Sequence, residues 1–199
     1  ASSGGKRGSL PSPSLPSPPG RNGSLARGAA PVAALFERIV VRILIQRVTE
    51  GRVTVDGETT GAIDTGLVLL VGIGVDDSAE LVPPLCEKVA NLRIFDDADG
   101  VMNRSALDLL AAGQAPGMLV VSQFTLYGDL RKGRRPSWSK AARPEHAEPL
   151  VDACAEWFRN AGFAVGTGVF GAEMQVALVN DGPVTLWLDS DDLARSRRG

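Results

Sequence analysis

The sequence predicts an α+β domain of mostly antiparallel sheets with two main helices. Short apolar runs recur from Ile43 to Leu188, separated by turn residues such as Asp56-Gly57, Asp99-Gly100 and Pro116-Gly117. Only two stretches, around Leu81 to Leu92 and Ala147 to Phe158, space their apolar residues as a helix requires. Many strands joined by hairpins, with so few helices, point to that class.

Taken in order, Ile43 to Val48 reads as a first strand and Arg52 to Val55 as a second. Asp56-Gly57 supplies the turn of a hairpin into Glu58 to Ile63, because both residues tolerate the left-handed backbone that a tight hairpin demands. Leu67 to Ile73 is continuously apolar, hence a central strand. Leu81, Leu85, Val89 and Leu92 mark a helix from Pro83 to Arg93, with the Pro83-Pro84 pair fitting its first turn but not its interior. A loop with a helical turn at Leu107 to Ala111 leads to the strand Leu119 to Val121. Ala147, Leu150, Val151, Cys154, Trp157 and Phe158 form one face of a second helix from Pro144 to Gly162. Two last strands, Glu173 to Val179 and Val184 to Leu188, flank a turn at Asn180-Asp181-Gly182-Pro183. The organisation expected is an extension over residues 1–40, a domain over 41–192 and a frayed tail over 193–199.

The extension is rich in Ser, Pro and Gly and has no periodic apolar face, so it cannot offset the entropy of ordering and reads as disordered. It carries Lys6, Arg7, Arg21, Arg27 and Arg38 against Glu37 alone, which also fits an organelle transit peptide; a mis-assigned start is the third reading. The rest holds 16 basic and 22 acidic groups, a net of -6. An acidic domain is not built to coat nucleic acid, so phosphate contacts should be confined to a patch. No stretch approaches the roughly 18 consecutive apolar residues of a membrane span. Cys86 and Cys154 lie among apolar helical residues and read as free, buried thiols.

The chemistry centres on Val120 to Asp129, where an apolar strand runs into Ser122, Gln123, Phe124 and Thr125 and then a turn. Strand-end polar groups beside a glycine are well placed for a site, although Ser and Thr also simply end strands. The inventory excludes several chemistries. His146 is the one histidine, at the start of a helix, and nothing in the sequence places it near Ser122 for a Ser-His-Asp triad. Clustered zinc ligands are missing, Gly72-Ile73-Gly74 lacks the third glycine of a dinucleotide loop, and Asp96-Asp97-Ala98-Asp99 lacks the glutamate of a calcium loop. No cofactor or metal is implied. Hydroxyls, an amide and backbone N–H groups suit an activated ester, because each oxyanion donor contributes roughly 3 kcal/mol.

Two further segments bear on this site. Arg131, Lys132, Arg134 and Arg135 crowd one loop, which is either a solvated charge run or a phosphate contact beside the strand end. Gly182-Pro183 is either an ordinary trans turn or a cis pair that projects bare carbonyls toward an ammonium group; X-Pro is the bond where cis is cheap, at about 0.5–1 kcal/mol.

These residues together are what the chain shares with a known family. Arg42 to Val48, Asn91 to Phe95, Met102 to Ser105, Val121 to Tyr127, Lys132 to Ser137, Gly168 to Met174 and Asn180 to Thr185 closely resemble the D-aminoacyl-tRNA deacylases, formerly D-tyrosyl-tRNA deacylases. The resemblance implies a barrel-like core, a homodimer, a cytoplasmic location and no membrane. It implies hydrolysis of the ester between a D-amino acid and the 3'-terminal adenosine of tRNA, and removal of mischarged glycine from tRNA for alanine. It implies a cis Gly182-Pro183 pair that reaches into the partner's pocket, binds the α-amino group and rejects L side chains, with Arg47 bracing it and Phe170 and Met174 lining the pocket. Ser122 to Thr125 fall on the catalytic motif. In the family Thr125 is regarded either as a nucleophile or as a positioning group for attack assisted by the tRNA 2'-hydroxyl. The absence of a base near Thr125 in the sequence favours the second view. Two departures stand out: the link Leu109 to Gly117 is longer than usual, and residues 1–40 have no family counterpart.

Overall fold

The structure, a computed structural model, describes residues 40–194. The expected extension, Val40 apart, and residues 195–199 of the tail lie outside the described residues. Leu193 and Ala194, the first residues of that tail, lie at the end of a short helix, Ser190–Ala194.

Strand β1 (Arg42–Val55) runs straight through what the sequence divides into two strands. It turns at Asp56 and Gly57, with φ of 50° and 83°, into β2 (Glu58–Ile63). Strand β3 (Gly66–Gly72) follows, then helix α1 (Val82–Ala90), the small pair β4 (Phe95–Asp96) and β5 (Met102–Arg104), and helix α2 (Ala106–Ala111). Strand β6 (Gly117–Ser122) leads into a 3-10 turn, Phe124–Tyr127. Helix α3 (Pro144–Asn160), strand β7 (Ala164–Thr167), strand β8 (Gln175–Asp189) and helix α4 (Ser190–Ala194) complete the chain. α1 ends earlier than expected, because the Asn91 side chain donates to the Glu87 carbonyl (2.9 Å) and closes the last turn.

The main sheet has the order β2-β1-β3-β6-β7, with β8 on β1. β1 serves two neighbours in succession, pairing β3 over residues 42–48 and β2 over 51–55, while β8 runs antiparallel along its other edge. The pairs β3–β6 and β6–β7 are parallel, each reached through a connection that carries α1 or α3. The sheet curls until β2 meets β7. A Cβ on Gly61 would lie 2.3 Å from the Thr167 carbonyl oxygen, so only glycine lets the two strands approach so closely.

Both faces of β3 and β6 are buried, which is why their sequences are continuously apolar rather than alternating. Leu67, Leu69, Val71, Met118 and Val120 face a core completed by Leu85 and Val89 of α1 and Leu150, Cys154 and Phe158 of α3. Val68, Leu119 and Val121 face inward against Val48, Val53 and Ile63. Cys86 and Cys154 are free and buried.

β8 is one strand, where the sequence predicts two strands and a reverse turn. Along β1, Gln46 faces Thr185 and Val48 faces Asn180, so the residues between Asn180 and Thr185 bulge out without reversing the chain. The bulge carries Gly182 and Pro183. No described helix is long and apolar enough to cross a membrane.

Candidate active site

The parallel ladder between β3 and β6 places Ser122 at the sheet's edge, beside Val71. The Gln123 N–H extends the ladder by donating to the Val71 carbonyl (2.7 Å), after which the chain tightens into the 3-10 turn. The Gln123 side-chain amide donates to the Thr125 hydroxyl. The first N–H groups of such a turn have no acceptor within it and can serve a developing oxyanion.

A cavity of about 420 Å3 opens here. Ser122, Gln123 and Phe124 form one wall, and Trp138, the start of α3 at Pro144 and Ala147, and Phe170 form the others. Phe124 and Trp138 meet edge to face with ring centroids 5.4 Å apart, and Phe124 is 56% exposed. Gly128 allows this, since a Cβ there would lie 2.8 Å from the Trp138 ring. Thr125 is exposed and is not part of the cavity wall.

Of the expected pocket residues, Phe170 lines the cavity and Met174 does not. Met174 packs instead against the inner core, its sulfur filling the space where a Gly168 Cβ would stand. Its separation by four residues from Phe170 hid this difference, because Gly171, with φ of 75°, turns the chain between them.

Arg47 is buried opposite the β8 bulge, with 5% of its surface exposed. It donates to the Ile94 carbonyl, pairs with Asp181 (2.8 Å) and approaches Asp96 (3.5 Å). The foot of the bulge is tied as well: Gln46 and Thr185 both donate to the Asn180 side-chain oxygen, at 3.2 and 3.3 Å. The Gly182-Pro183 peptide is cis, both residues are exposed, and neither lines the 420 Å3 cavity. One chain therefore does not bring this pair together with Ser122 to Thr125 in that cavity.

The basic loop closes at its foot, where Asp129 and Ser137 exchange backbone hydrogen bonds of 2.9 and 3.1 Å. Arg131 is bound back onto Asp129 (2.7 Å), and this contact holds the Asp129 carboxyl down to about 2. Lys132, Arg134 and Arg135 are exposed beyond it. His146 donates to the Asp77 carbonyl (2.7 Å) at the start of α3.

Sequence reasoning missed Arg42, Asp77, Trp138 and Asp181. Trp138 has a local signal, an aromatic closing a basic loop next to the site. Asp77 has no such signal. Burial nevertheless pushes its carboxyl up to about 6, against the lowering contacts of the Gly74 N–H, the Tyr127 hydroxyl and His146.

The molecule is a barrel-like α+β domain whose cavity has the Ser122 hydroxyl and the Gln123 amide on one wall, groups that an ester-hydrolysing site could use. Residues 44–189 match the family model described as D-Tyr-tRNA(Tyr) deacylase. The chain is 58% identical over 158 residues to the D-aminoacyl-tRNA deacylase of Chloroflexus aurantiacus, covering 79% of this chain and 96% of the relative. It is 53% identical over 157 residues to that of Thermus aquaticus, covering 79% and 100%. Among solved structures, the c-Myc DNA Unwinding Element Binding Protein superposes with a TM-score of 0.66 at 37% identity, over 74% of this chain and 97% of that one. A probable eukaryotic D-amino acid tRNA deacylase shares the fold, with a TM-score of 0.64 at 17% identity over 75% and 99%. The chain belongs to the D-Tyr-tRNA(Tyr) deacylase family.

Proposed function

We propose that this protein is a chiral proofreading enzyme, active as a homodimer, that hydrolyses the ester of D-aminoacyl-tRNA in a pocket completed by the partner's Gly182 and Pro183. Hydrolysis of that ester is the activity its family membership carries. The observation that supports the composite pocket is the exposed, Arg47-braced bulge, which is built rigidly yet stands outside its own chain's cavity. Val179 and Trp187, each 49% exposed, and Leu186 flank the bulge along β8 and give a second copy an apolar surface to cover.

In this reading the aminoacyl ester lies against Ser122, Gln123 and Phe124, with Phe170 on the opposite wall. The Gly182 and Pro183 carbonyls accept the α-ammonium group, and the bare backbone leaves no room for an L side chain. Glycine, having none, is also accepted, which extends the substrates to glycine mischarged on tRNA for alanine. The Gln123 amide is a donor and cannot take the Thr125 proton. This supports positioning of the ester by Thr125, with the tRNA 2'-hydroxyl assisting attack. Lys132, Arg134 and Arg135, with Arg131 behind them, contact tRNA phosphates. The protein works in the cytoplasm, or in an organelle if residues 1–40 are a transit peptide.

A second reading, a nucleic-acid-binding module without catalysis, is favoured by the cationic loop and by the named binding activity of the c-Myc DNA Unwinding Element Binding Protein. Incubation with D-Tyr-tRNA and L-Tyr-tRNA separates the two. The proofreading enzyme cleaves the D ester and spares the L ester, whereas a binder spares both. Gly182→Ala sharpens the test. The added methyl would meet only the Asn180 amide, at 3.7 Å, so the fold tolerates it. Deacylation should fall by about a hundredfold or more through misplacement of the carbonyls, with the melting temperature unchanged. Full activity and selectivity in this variant would sink the composite pocket.

A further inference from the structure

We infer that Arg42, acting together with Tyr127, is a positioning residue that sets the reach of Gln123 and Thr125 by clamping the far end of the 3-10 turn. The inference rests on the deacylase reading above and adds to it a residue outside the pocket.

The turn Phe124–Tyr127 is only four residues long, so its own hydrogen bonds, Leu126 N–H to Gln123 and Gly128 N–H to Thr125, cannot hold its orientation against the sheet. Its near end is fixed by the Gln123 N–H on Val71. Its far end is fixed by two side chains from different elements. Arg42, at the start of β1, donates through Nη1 to the Leu126 carbonyl at 2.9 Å. The same guanidinium stacks on the Tyr127 ring, 4.4 Å from its centroid. Tyr127 is 2% exposed, and its hydroxyl reaches the Asp77 carboxylate at 3.4 Å. Asp77 is in turn anchored by the Gly74 N–H at 2.6 Å.

The clamp therefore grips the two residues that follow Thr125, and a rotation of the turn displaces the Thr125 hydroxyl and the Gln123 amide bonded to it. Arg42 also pairs with Asp189 at 3.6 Å, at the end of the strand that carries Gly182 and Pro183. One side chain thus references both halves of the proposed site to the same point on β1. Arg42 lines no part of the 420 Å3 cavity, so its contribution is geometric.

The test uses the full-length protein with Arg42→Met, which keeps an unbranched apolar stem and removes the guanidinium fork, and Arg42→Lys, which restores a donor and a cation. On D-Tyr-tRNA, Arg42→Met should lower kcat about tenfold or more with KM within about twofold, and Arg42→Lys should recover most of the loss. In protein labelled with methyl-13C threonine, the Thr125 methyl resonance should move in Arg42→Met and return in Arg42→Lys, while that of Thr59, far off on β2, stays in place. If Arg42→Met does not fold, Tyr127→Phe gives the same pattern at smaller amplitude. An unmoved Thr125 resonance, an unchanged kcat or a rise in KM alone would overturn the inference. Wild-type protein that leaves D-Tyr-tRNA intact would overturn the deacylase reading itself. Active wild type with unaffected variants would remove only the role of Arg42.

Discussion

Arg47 Nε stands 2.8 Å from the Asp181 carboxylate, joining a buried guanidinium on β1 to the bulge that carries Gly182 and Pro183. The two partners are unequal, with side-chain exposures of 6% and 42%. Removing Asp181 leaves the buried guanidinium with the Ile94 carbonyl and only the longer carboxylate contact, to Asp96, whereas removing Arg47 leaves a carboxylate that water can reach.

Asp181→Ala should therefore cost more stability than its half-exposed position suggests, about 2 kcal/mol, and more than Arg47→Met. Urea midpoints of the two variants and the double variant measure this directly. Both single variants should also lose deacylation of D-Tyr-tRNA. Equal midpoints for Asp181→Ala and wild type would show that the bulge is not braced by this pair.

The cationic loop makes a graded prediction. Arg131 is already satisfied by Asp129, while Arg134 and Arg135 extend beyond the closed foot of the loop. Arg134→Gln and Arg135→Gln should weaken tRNA binding uniformly across sequences and each reduce the slope of log Kd against log salt by about 1, with kcat preserved. Arg131→Gln should change the slope less. Titrations at several salt concentrations decide the order.

Asp77 predicts a pH effect on stability. Burial raises its carboxyl from 3.8 to about 6, and its Oδ1 is buried without a hydrogen-bond partner among the described residues. Between these two values the native protein holds a proton that the unfolded chain has released, so this group's contribution to stability falls as pH rises through that window and is lost above about 6. Asp77→Asn cannot ionise and escapes the loss. Its melting temperature should gain on wild type as pH rises from 4 to 7. A difference that stays flat with pH would contradict the account.

Barrel closure depends on Gly61. An added Cβ would collide with the backbone of Thr167, which cannot rotate away as a side chain could. Gly61→Ala should cost about 2–3 kcal/mol, a fall in melting temperature of roughly 5–10 °C by calorimetry. Gly57→Ala probes a different cost, because nothing surrounds its Cβ and only its φ of 83° is unfavourable; its loss should be smaller.

Much of the fold was legible because it is local. The hairpin at Asp56-Gly57, the apolar run of β3 and the stripe of α3 each write their period into neighbouring residues. β7 was not, since Ala164–Thr167 is too short to show a period and becomes a strand by lying along β6. Of the candidate site, the structure brings Ser122 to Phe124 and Phe170 into one cavity and sets Arg47 against the bulge beside Gly182. Met174 parts from Phe170 in this chain, because the left-handed Gly171 between them turns its side chain to the inner core.

Sequence alone determined the chemistry on offer: a strand ending in Ser122-Gln123-Phe124-Thr125, a Gly182-Pro183 pair, and one cationic loop. Tertiary structure decided their arrangement. Asn180-Asp181-Gly182-Pro183 reads as a reversal of the chain, yet β1 continues along both of its flanks, and that long-range pairing turns it into a bulge facing outward. Pairing energy between residues more than a hundred positions apart leaves no mark on either segment by itself, which is why the Asp181 partner of Arg47 and the contacts of Arg42 appear only once the strands are side by side.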